Sequence, residues 1–304
     1  MWDGPHLLST HEPDPRQLRA LLDRAHDETF EPDALAGRAV ATVFFEDSTR
    51  TRVSFSLAGQ RLGAKVVDWS SRGSSISKGE TVMDTFWTIE SMGFDVVVVR
   101  HQESGAARLL ADHARCAVIN AGDGTHQHPT QALTDALALG EALGRESGWD
   151  FSGLRLAIVG DCVSSRVARS NVGLMTALGA EVVLVGPEPM APPDLGGALG
   201  CAVSDDFDAE LARADAVMML RIQLERNAGL LLPEGFDYHA RYGLTRERAA
   251  RMKGHGVVMH PGPMNRGVEI EGVVADGPRS LIRRQVAAGV RVRMAVLDEA
   301  VRRS

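Results

Sequence analysis

Val40-Ala41-Thr42-Val43-Phe44-Phe45-Glu46-Asp47-Ser48-Thr49-Arg50-Thr51-Arg52 is the stretch that decides the fold. Residues 40–45 form an apolar run of strand length. Beyond it, Val53, Leu57, Ala58 and Leu62 predict one side of an amphipathic helix. Ser48 and Thr49 therefore stand where a strand ends and a helix begins. Backbone N–H groups at a helix start lack intrahelical partners, and the dipole makes that end positive. Three hydroxyls and two guanidinium groups fall within residues 48–52. Short donors beside forked cations suit a phosphate. An ordinary helix start needs one Ser or Thr, so phosphate binding explains this density better than a cap followed by solvated arginines. The Gly-x-x-x-x-Gly-Lys spacing of a Walker loop is missing.

Outward from this stretch, strand and helix patterns alternate. Residues 40–45, 64–69, 95–99 and 117–120 read as strands, and a second set covers 156–160, 182–186, 216–220 and 257–259. Several lack period-two alternation, as strands covered on both faces do. Helical patterns occupy 81–92, 104–113, 129–143 and 166–178. The pattern is that of an α/β protein with doubly wound parallel sheets. Residues 144–153 break it and mark passage into a second domain. Residues 280–302 read as a helix with Ile282, Val286, Val290, Met294, Leu297 and Val301 on one face. This segment has no strand of its own and is expected to pack back on the first domain. Residues 187–197 and 261–267, rich in Gly and Pro, read as loops.

A chain of 304 residues suits two ordinary domains. Its 44% hydrophobic and 24% charged content is that of a soluble globular protein, and a net charge of −7 argues against nucleic acid as a partner. Thirty of the 33 basic residues are Arg; only Lys65, Lys78 and Lys253 are Lys. Codon bias is the plain cause, but a Lys retained in such a chain draws notice, Lys78 above all. Cys116, Cys162 and Cys201 are scattered and odd in number, with no Cys-x-x-Cys pair, so neither disulfides nor a cysteine zinc site are expected. The first eleven residues lack the basic head and apolar core of a signal peptide. No apolar run reaches the length of a membrane span. A cytoplasmic protein without a membrane partner is expected.

The charged motifs fall at strand ends, where α/β sheets bind ligands. Arg100 and His101 end one strand, placing a second cation near residues 48–51. Asn120-Ala121-Gly122-Asp123-Gly124 leaves the next strand, and His126-Gln127-His128-Pro129-Thr130-Gln131 opens a helix with Pro129 at its first position. His128 and Gln131, three apart, can face one site. A His-x-His metal pair is one reading. A neutral imidazole donating to a carbonyl oxygen fits a helix start better, and for His126 a structural cap is preferred. The loop Ser74-Ser75-Ile76-Ser77-Lys78-Gly79-Glu80-Thr81 suits closure over an anion as well as it suits a solvated surface. In the second half, Gly160-Asp161-Cys162-Val163-Ser164-Ser165-Arg166 joins a strand to a helix without Gly-x-Gly-x-x-Gly, which gives a nicotinamide site little support. Arg221 and Gln223 share one side of the next strand end, suiting a carboxylate, with surface pairing to Glu225 as the plain alternative. His260-Pro261-Gly262-Pro263-Met264-Asn265-Arg266 is a rigid turn with free carbonyls.

Taken in order, these blocks resemble the aspartate/ornithine carbamoyltransferase family over nearly the whole chain. The aspartate branch is indicated by the Lys78-Gly79-Glu80 loop, by Arg221-x-Gln223-x-x-Arg226, and by His260-Pro261-Gly262-Pro263 where the ornithine branch has His-Cys-Leu-Pro. No Ser-Met-Gly loop occurs in the second half. The Gly262-Pro263-Met264-Asn265-Arg266 form of the turn departs from the Leu-Pro form of some relatives. The resemblance implies residues 1–143 as a carbamoyl-phosphate-binding domain completed by a helix at 281–304. Residues 144–280 would be the aspartate-binding domain, and the active site would lie in the cleft between the two.

The resemblance also implies roles. Ser48, Thr49, Arg50 and Thr51, with Arg100, would hold the phosphate, and Ser74 and Lys78 would arrive from a neighbouring subunit of a homotrimer. Thr51, Arg100 and His128 would bond the carbonyl oxygen, and Gln131 the carbamoyl nitrogen. Arg166, Arg221, Gln223 and Lys78 would meet the two carboxylates of L-aspartate. The Gly262 and Pro263 carbonyls would face its amine, while Glu46 would join Arg166 and Arg226 on domain closure. The implied reaction, carbamoyl transfer from carbamoyl phosphate to aspartate in pyrimidine synthesis, needs no metal, no cofactor and no protein nucleophile. A regulatory chain or a dihydroorotase partner is left open. So are two rivals, a carbamoyltransferase for another amino acid and a silent family member serving as a scaffold.

Overall fold

The computed structural model describes residues 4–70, 79–222, 232–233 and 235–304. Two units make up the chain: Met1–Leu137 with Val286–Ser304, and Ala138–Gln285. In the first, four parallel strands run β1 (Ala39–Phe44), β2 (Lys65–Ser70), β3 (Val96–His101) and β4 (Ala117–Asp123), in the order β2-β1-β3-β4. Helices α1 (Pro15–Asp27), α2 (Thr49–Arg61), α3 (Val82–Ser91) and α4 (Ala106–Ala111) accompany them, and α5 (Pro129–Leu143) begins after β4. The strand order has one consequence for function. The chain winds from β1 outward to β2, then returns past β1 to β3 and β4. Its direction reverses between β1 and β3, and the crevice beyond their carboxyl ends stays open there.

The second unit repeats the plan with five parallel strands. They are β5 (Arg155–Val159), β6 (Glu181–Val185), β7 (Ala202–Ser204), β8 (Ala216–Met219) and β9 (Val257–Met259), ordered β7-β6-β5-β8-β9. The helices are α6 (Arg166–Ala177), α7 (Pro193–Leu199), α8 (Phe207–Arg213), α9 (Tyr238–Tyr242), α10 (Arg246–Ala250) and α11 (Gly272–Ala275). Winding reverses between β5 and β8. Gly160, just past β5, has φ +135°, and a Cβ there would lie 3.0 Å from Cβ and 3.2 Å from the carbonyl oxygen of Leu220. Only a residue without a side chain lets the two chain segments approach so closely.

Central strands are buried on both faces, β5 along its whole length. In the first unit Phe86 and Ile89 of α3 and Leu110 of α4 pack on Val43, Val97, Val99 and Val118. In the second, Phe207, Leu211 and Tyr242 pack with Ala157, Val159, Val183, Val217 and Val258. The amino ends of the second sheet are tied by charge. Arg155 donates from Nε and Nη2 to Glu210 Oε2 at 2.9 and 2.6 Å, and also pairs with Glu181. Asp215 accepts from the Arg155 N–H at 2.8 Å, Lys253 Nζ at 2.8 Å and the His255 ring at 2.7 Å. Burial pushes the Asp215 carboxyl up, but these bonds outweigh it and hold it below the usual carboxylate range. The retained Lys253 thus braces the sheet at the end away from the charged loops.

The last helix, α12 (Ile282–Arg303), enters the first unit from Val286 onward, where Arg24 of α1 pairs with Asp298. Two amphipathic faces differ from the sequence expectation. In α2, Val53 is 55% exposed and Leu57 37%, while Thr51, Phe55, Ala58 and Leu62 are buried. Positions 51, 55, 58 and 62 recur at the helical period, and 53 and 57 fall opposite them. In α12, Val286 is exposed and Ala288, Val292, Ala295 and Val296 are buried. The expected loop at 187–197 contains the start of α7, opened by Pro193 at its first position. The short strand β7 and helices α1, α8, α9, α10 and α11 are additions. Of these, α1 carried a clear signal: an Asp14/Gln17 capping box with Pro15 just inside.

Two glycines should respond oppositely to alanine. Gly160→Ala combines a left-handed backbone with a tight contact and should lower stability by about 1–3 kcal/mol. Gly197→Ala, within α7 and with open space around its Cβ position, should be neutral or stabilising by up to about 1 kcal/mol. Thermal unfolding of both variants checks the pair; an unchanged melting temperature for Gly160→Ala would contradict the close approach.

Candidate active site

The first unit gathers its polar groups where the winding reverses. Ser48 is the N-cap residue of α2 with extended backbone, and its side chain makes no cap bond. Thr49 and Arg50, in the first turn, are exposed, while Thr51 is buried. The hydroxyl that could have closed the helix start is therefore not used for that purpose. Arg100, near the end of β3, is half-buried. Its Nε lies 2.8 Å from Glu46 Oε1, and its Nη1 donates to the Ala121 carbonyl at 3.1 Å. One guanidinium thus links the ends of β1, β3 and β4. Strands in a sheet lie about 5 Å apart, so residues 48–51, Arg100 and the start of α5 share one edge. Glu46, which the resemblance assigns to domain closure, engages Arg100 within its own unit.

The loop after β4 is organised by Asp123, 2% exposed. Its carboxylate accepts from Asn120 Nδ2 at 2.8 Å, from the Gly105 N–H at 2.7 Å and from the Gln127 N–H at 3.0 Å. His126 Nδ1 lies 3.0 Å from Asp123 Oδ2, with the ring half-exposed, so it closes this turn, as the cap reading required. His128 is buried just ahead of α5. Gln131, in the first turn, donates from Nε2 to Asp135 Oδ1 at 2.8 Å. His101 packs edge-on against Phe45, and burial pushes its ring below the usual histidine range.

In the second unit, Ser165 caps α6 by accepting from the Ala168 N–H at 3.1 Å, which sets Arg166 at the first helical position. Arg221 follows β8, and its Nε donates to Asn265 Oδ1 at 3.4 Å. Asn265 Nδ2 donates to the Ile222 carbonyl at 2.7 Å, and its backbone N–H to Glu269 Oε1 at 2.5 Å. His260 and Glu269 are both buried. His260 Nδ1 accepts from the Gly262 N–H at 2.8 Å, so the proton of the neutral ring is on Nε2, which donates to Glu269 Oε1 at 3.2 Å. This couple holds the turn at Gly262 and Pro263, whose peptide bond is cis, against β9. Burial raises the Cys162 thiol far above its usual range and Cys116 to about 12, so both sulfurs are packing groups.

The structure thus brings Ser48, Thr49, Arg50, Thr51, Arg100, His128 and Gln131 to one sheet edge. It brings Arg166, Arg221, Gly262 and Pro263 to the ends of adjacent strands of the other sheet. Ser74, Lys78, Gln223, Glu225 and Arg226 lie outside the described residues. Asp123, Asp135, Asn265, His260 and Glu269 were given no supporting role from sequence, since each is an ordinary polar residue until its partners are known.

Glu46 places a negative charge against Arg100, one of the cations at the edge that carries the expected anion site. Glu46→Gln should therefore tighten inorganic phosphate binding about two- to tenfold at low salt, less at 0.15 M. Calorimetric titration of both proteins reads this; weaker binding by the variant would contradict the placement of the anion beside Arg100.

Comparison with known proteins bears on both units. Residues 5–141 match the family model described as aspartate/ornithine carbamoyltransferase, carbamoyl-P binding domain, and residues 152–299 match its Asp/Orn binding domain. The aspartate carbamoyltransferase catalytic subunit of Salinispora tropica is 51% identical over 301 residues, covering 96% of each chain. That of Myxococcus xanthus is 51% identical over 297 residues, covering 96% of this chain and 98% of its own. Among solved structures, Trypanosoma cruzi aspartate transcarbamoylase in complex with carbamoyl phosphate and aspartate superposes with a TM-score of 0.85 at 30% identity, covering 98% of this chain and 97% of that one. The catalytic subunit of M. jannaschii aspartate transcarbamoylase gives 0.83 at 32% identity, covering 98% of both. With matching domains in sequence and fold along nearly its full length, the chain belongs to the aspartate/ornithine carbamoyltransferase family.

Proposed function

We propose that this protein transfers the carbamoyl group of carbamoyl phosphate to the amino group of L-aspartate, giving N-carbamoyl-L-aspartate and phosphate for pyrimidine synthesis. The observation that carries the reading is the helix start at residues 48–51. It is rich in donors, sits at the winding reversal of the first sheet beside Arg100, and belongs to a chain half identical to catalytic subunits of that name. The phosphate rests on Ser48, Thr49, Arg50 and Thr51, with Arg100. Thr51, Arg100 and His128 donate to the carbonyl oxygen, and Gln131 meets the carbamoyl nitrogen. Arg166 and Arg221, with Gln223 and Lys78, take the aspartate carboxylates. The carbonyls of Gly262 and Pro263 accept from the amine and orient its lone pair.

Attack of the amine on the carbonyl carbon moves negative charge onto the carbonyl oxygen. Donors already aimed at that oxygen stabilise the tetrahedral species without reorganising. The C–O bond to phosphate then breaks, and phosphate carries away the amine's proton. Holding two substrates in contact supplies up to about 7–11 kcal/mol of the barrier reduction. Arg50, Thr51, Lys78, Arg100 and His128 are the catalytic set.

The active assembly is a homotrimer in the cytoplasm, with Ser74 and Lys78 supplied by the neighbouring subunit. Exposed apolar side chains in the first unit support association: Val53 and Leu57 on α2, Val67 on the edge strand β2, Trp87 and Met92 of and beside α3. Three free cysteines suit a reducing compartment. None of the described helices is long and apolar enough to cross a membrane.

Transfer of radiolabelled carbamoyl phosphate to a panel of amines tests the reaction. Aspartate should be the preferred acceptor; preference for ornithine or another amine, or no transfer, would overturn the assignment. Site sharing has its own test. Arg50→Ala and Lys78→Ala proteins should each be nearly inactive, and refolding an equal mixture should restore roughly a quarter of the sites. Activity no higher than the mean of the parents would place Lys78 in its own chain's site or in none.

A further inference from the structure

Gln131 is the side-chain amide assigned above to the carbamoyl nitrogen, at the first turn of α5. An amide has two ends of similar shape and opposite bonding: the NH2 end donates and the carbonyl end accepts. A carbamoyl group presents the same pair. Its NH2 is recognised only if Gln131 turns its carbonyl toward it; the flipped amide would set donor against donor.

The structure contains a device that settles the flip. Gln131 Nε2 donates to Asp135 Oδ1 at 2.8 Å, one helical turn further along α5. Asp135 is 0% exposed, so its carboxylate has exchanged water for protein partners. On α12, Arg293 is 4% exposed, its guanidinium 5.2 Å over the Phe55 ring, with Nη1 donating to the Gly289 carbonyl at 2.9 Å. Burial draws Arg293 down to about 10, opposed by the negative charge of Asp135, so the guanidinium is still charged at neutral pH. The bond from Gln131 Nε2 to Asp135 Oδ1 is the geometry in which the carboxylate oxygen is the acceptor. A carboxylate can only accept, so it binds the amide nitrogen and leaves the carbonyl end turned away from the helix interior.

We propose that Asp135, backed by Arg293, is a positioning residue that fixes the amide of Gln131 with its carbonyl oxygen toward the substrate, and so selects a carbamoyl phosphate over an acyl phosphate that lacks the NH2. The inference rests on the functional reading above, which puts Gln131 on the carbamoyl nitrogen. It assigns to residues that do not touch substrate the discrimination between carbamoyl phosphate and acetyl phosphate, which carries a methyl group in the same place. Leaving a buried donor or acceptor unpaired is costly, so a site built around one hydrogen bond rejects the analogue that cannot make it.

The test is calorimetric titration of the intact protein with carbamoyl phosphate, acetyl phosphate and inorganic phosphate. In Asp135→Asn the carboxamide can donate or accept, and the flip is released. Carbamoyl phosphate should bind about tenfold more weakly, with acetyl phosphate and phosphate changed by less than about twofold. In a Gln131→Ala background the same substitution should cost nothing further. Asp135→Glu, which keeps the charge beside Arg293 but moves it by one methylene, gives the same split should Asp135→Asn fail to fold. Equal weakening of all three ligands, or additive losses in the double variant, would overturn the inference. A wild-type protein that does not prefer carbamoyl phosphate to acetyl phosphate would instead overturn the functional reading. A preference retained in the Asp135 variants would overturn only the role of Asp135.

Discussion

A parallel strand can be reached only by a crossover, and each crossover covers one face of the sheet. Where successive crossovers turn in opposite directions, the connections diverge and leave a crevice at the carboxyl ends of two neighbouring strands. The first sheet has that reversal between β1 and β3, the second between β5 and β8. The polar groups assigned to substrate follow from this constraint. Residues 48–51 leave β1 and Arg100 ends β3; Arg166 opens the helix after β5 and Arg221 follows β8. Ser48 at the start of α2 makes no side-chain cap bond, so its hydroxyl is not committed to closing the helix.

The two ends of the second sheet divide stability from chemistry. At the amino ends, Arg155, Glu181, Glu210, Asp215 and Lys253 form pairs and hydrogen bonds that are satisfied within the protein. At the carboxyl ends, Arg221 is steadied by Asn265, while the buried His260–Glu269 couple anchors the turn that carries Gly262 and Pro263. In the first unit Asp123 plays the corresponding part by gathering Asn120, Gly105 and Gln127 around one carboxylate. Rigid support of this kind lets a site bind without reorganising, the condition under which oriented donors are effective.

Much of this was legible in the sequence because it depends on local chemistry. Residues 40–45 read as a buried strand from apolar content alone, and Ser48 as a helix start from the change in pattern after it; both agree with β1 and α2 to within a residue. Charged motifs at strand ends located the two polar edges. The faces of α2 and α12 were misread because Phe55 and the small residues Ala288 and Ala295 carry the buried side, whereas Val53 and Val286 point outward. Supporting groups were invisible for a different reason. Asp135 becomes informative only beside Arg293, 158 positions further along the chain, and Asn265 only once β8 and β9 are neighbours.

The most direct measurement is a crystal structure of the protein grown with inorganic phosphate. The anion should lie within hydrogen-bonding distance of the backbone N–H groups at the start of α2, with the guanidinium groups of Arg50 and Arg100 beside it. Phosphate bound at the reversal of the second sheet, with the start of α2 left to water, would contradict the assignment of the first unit as the phosphate-binding half.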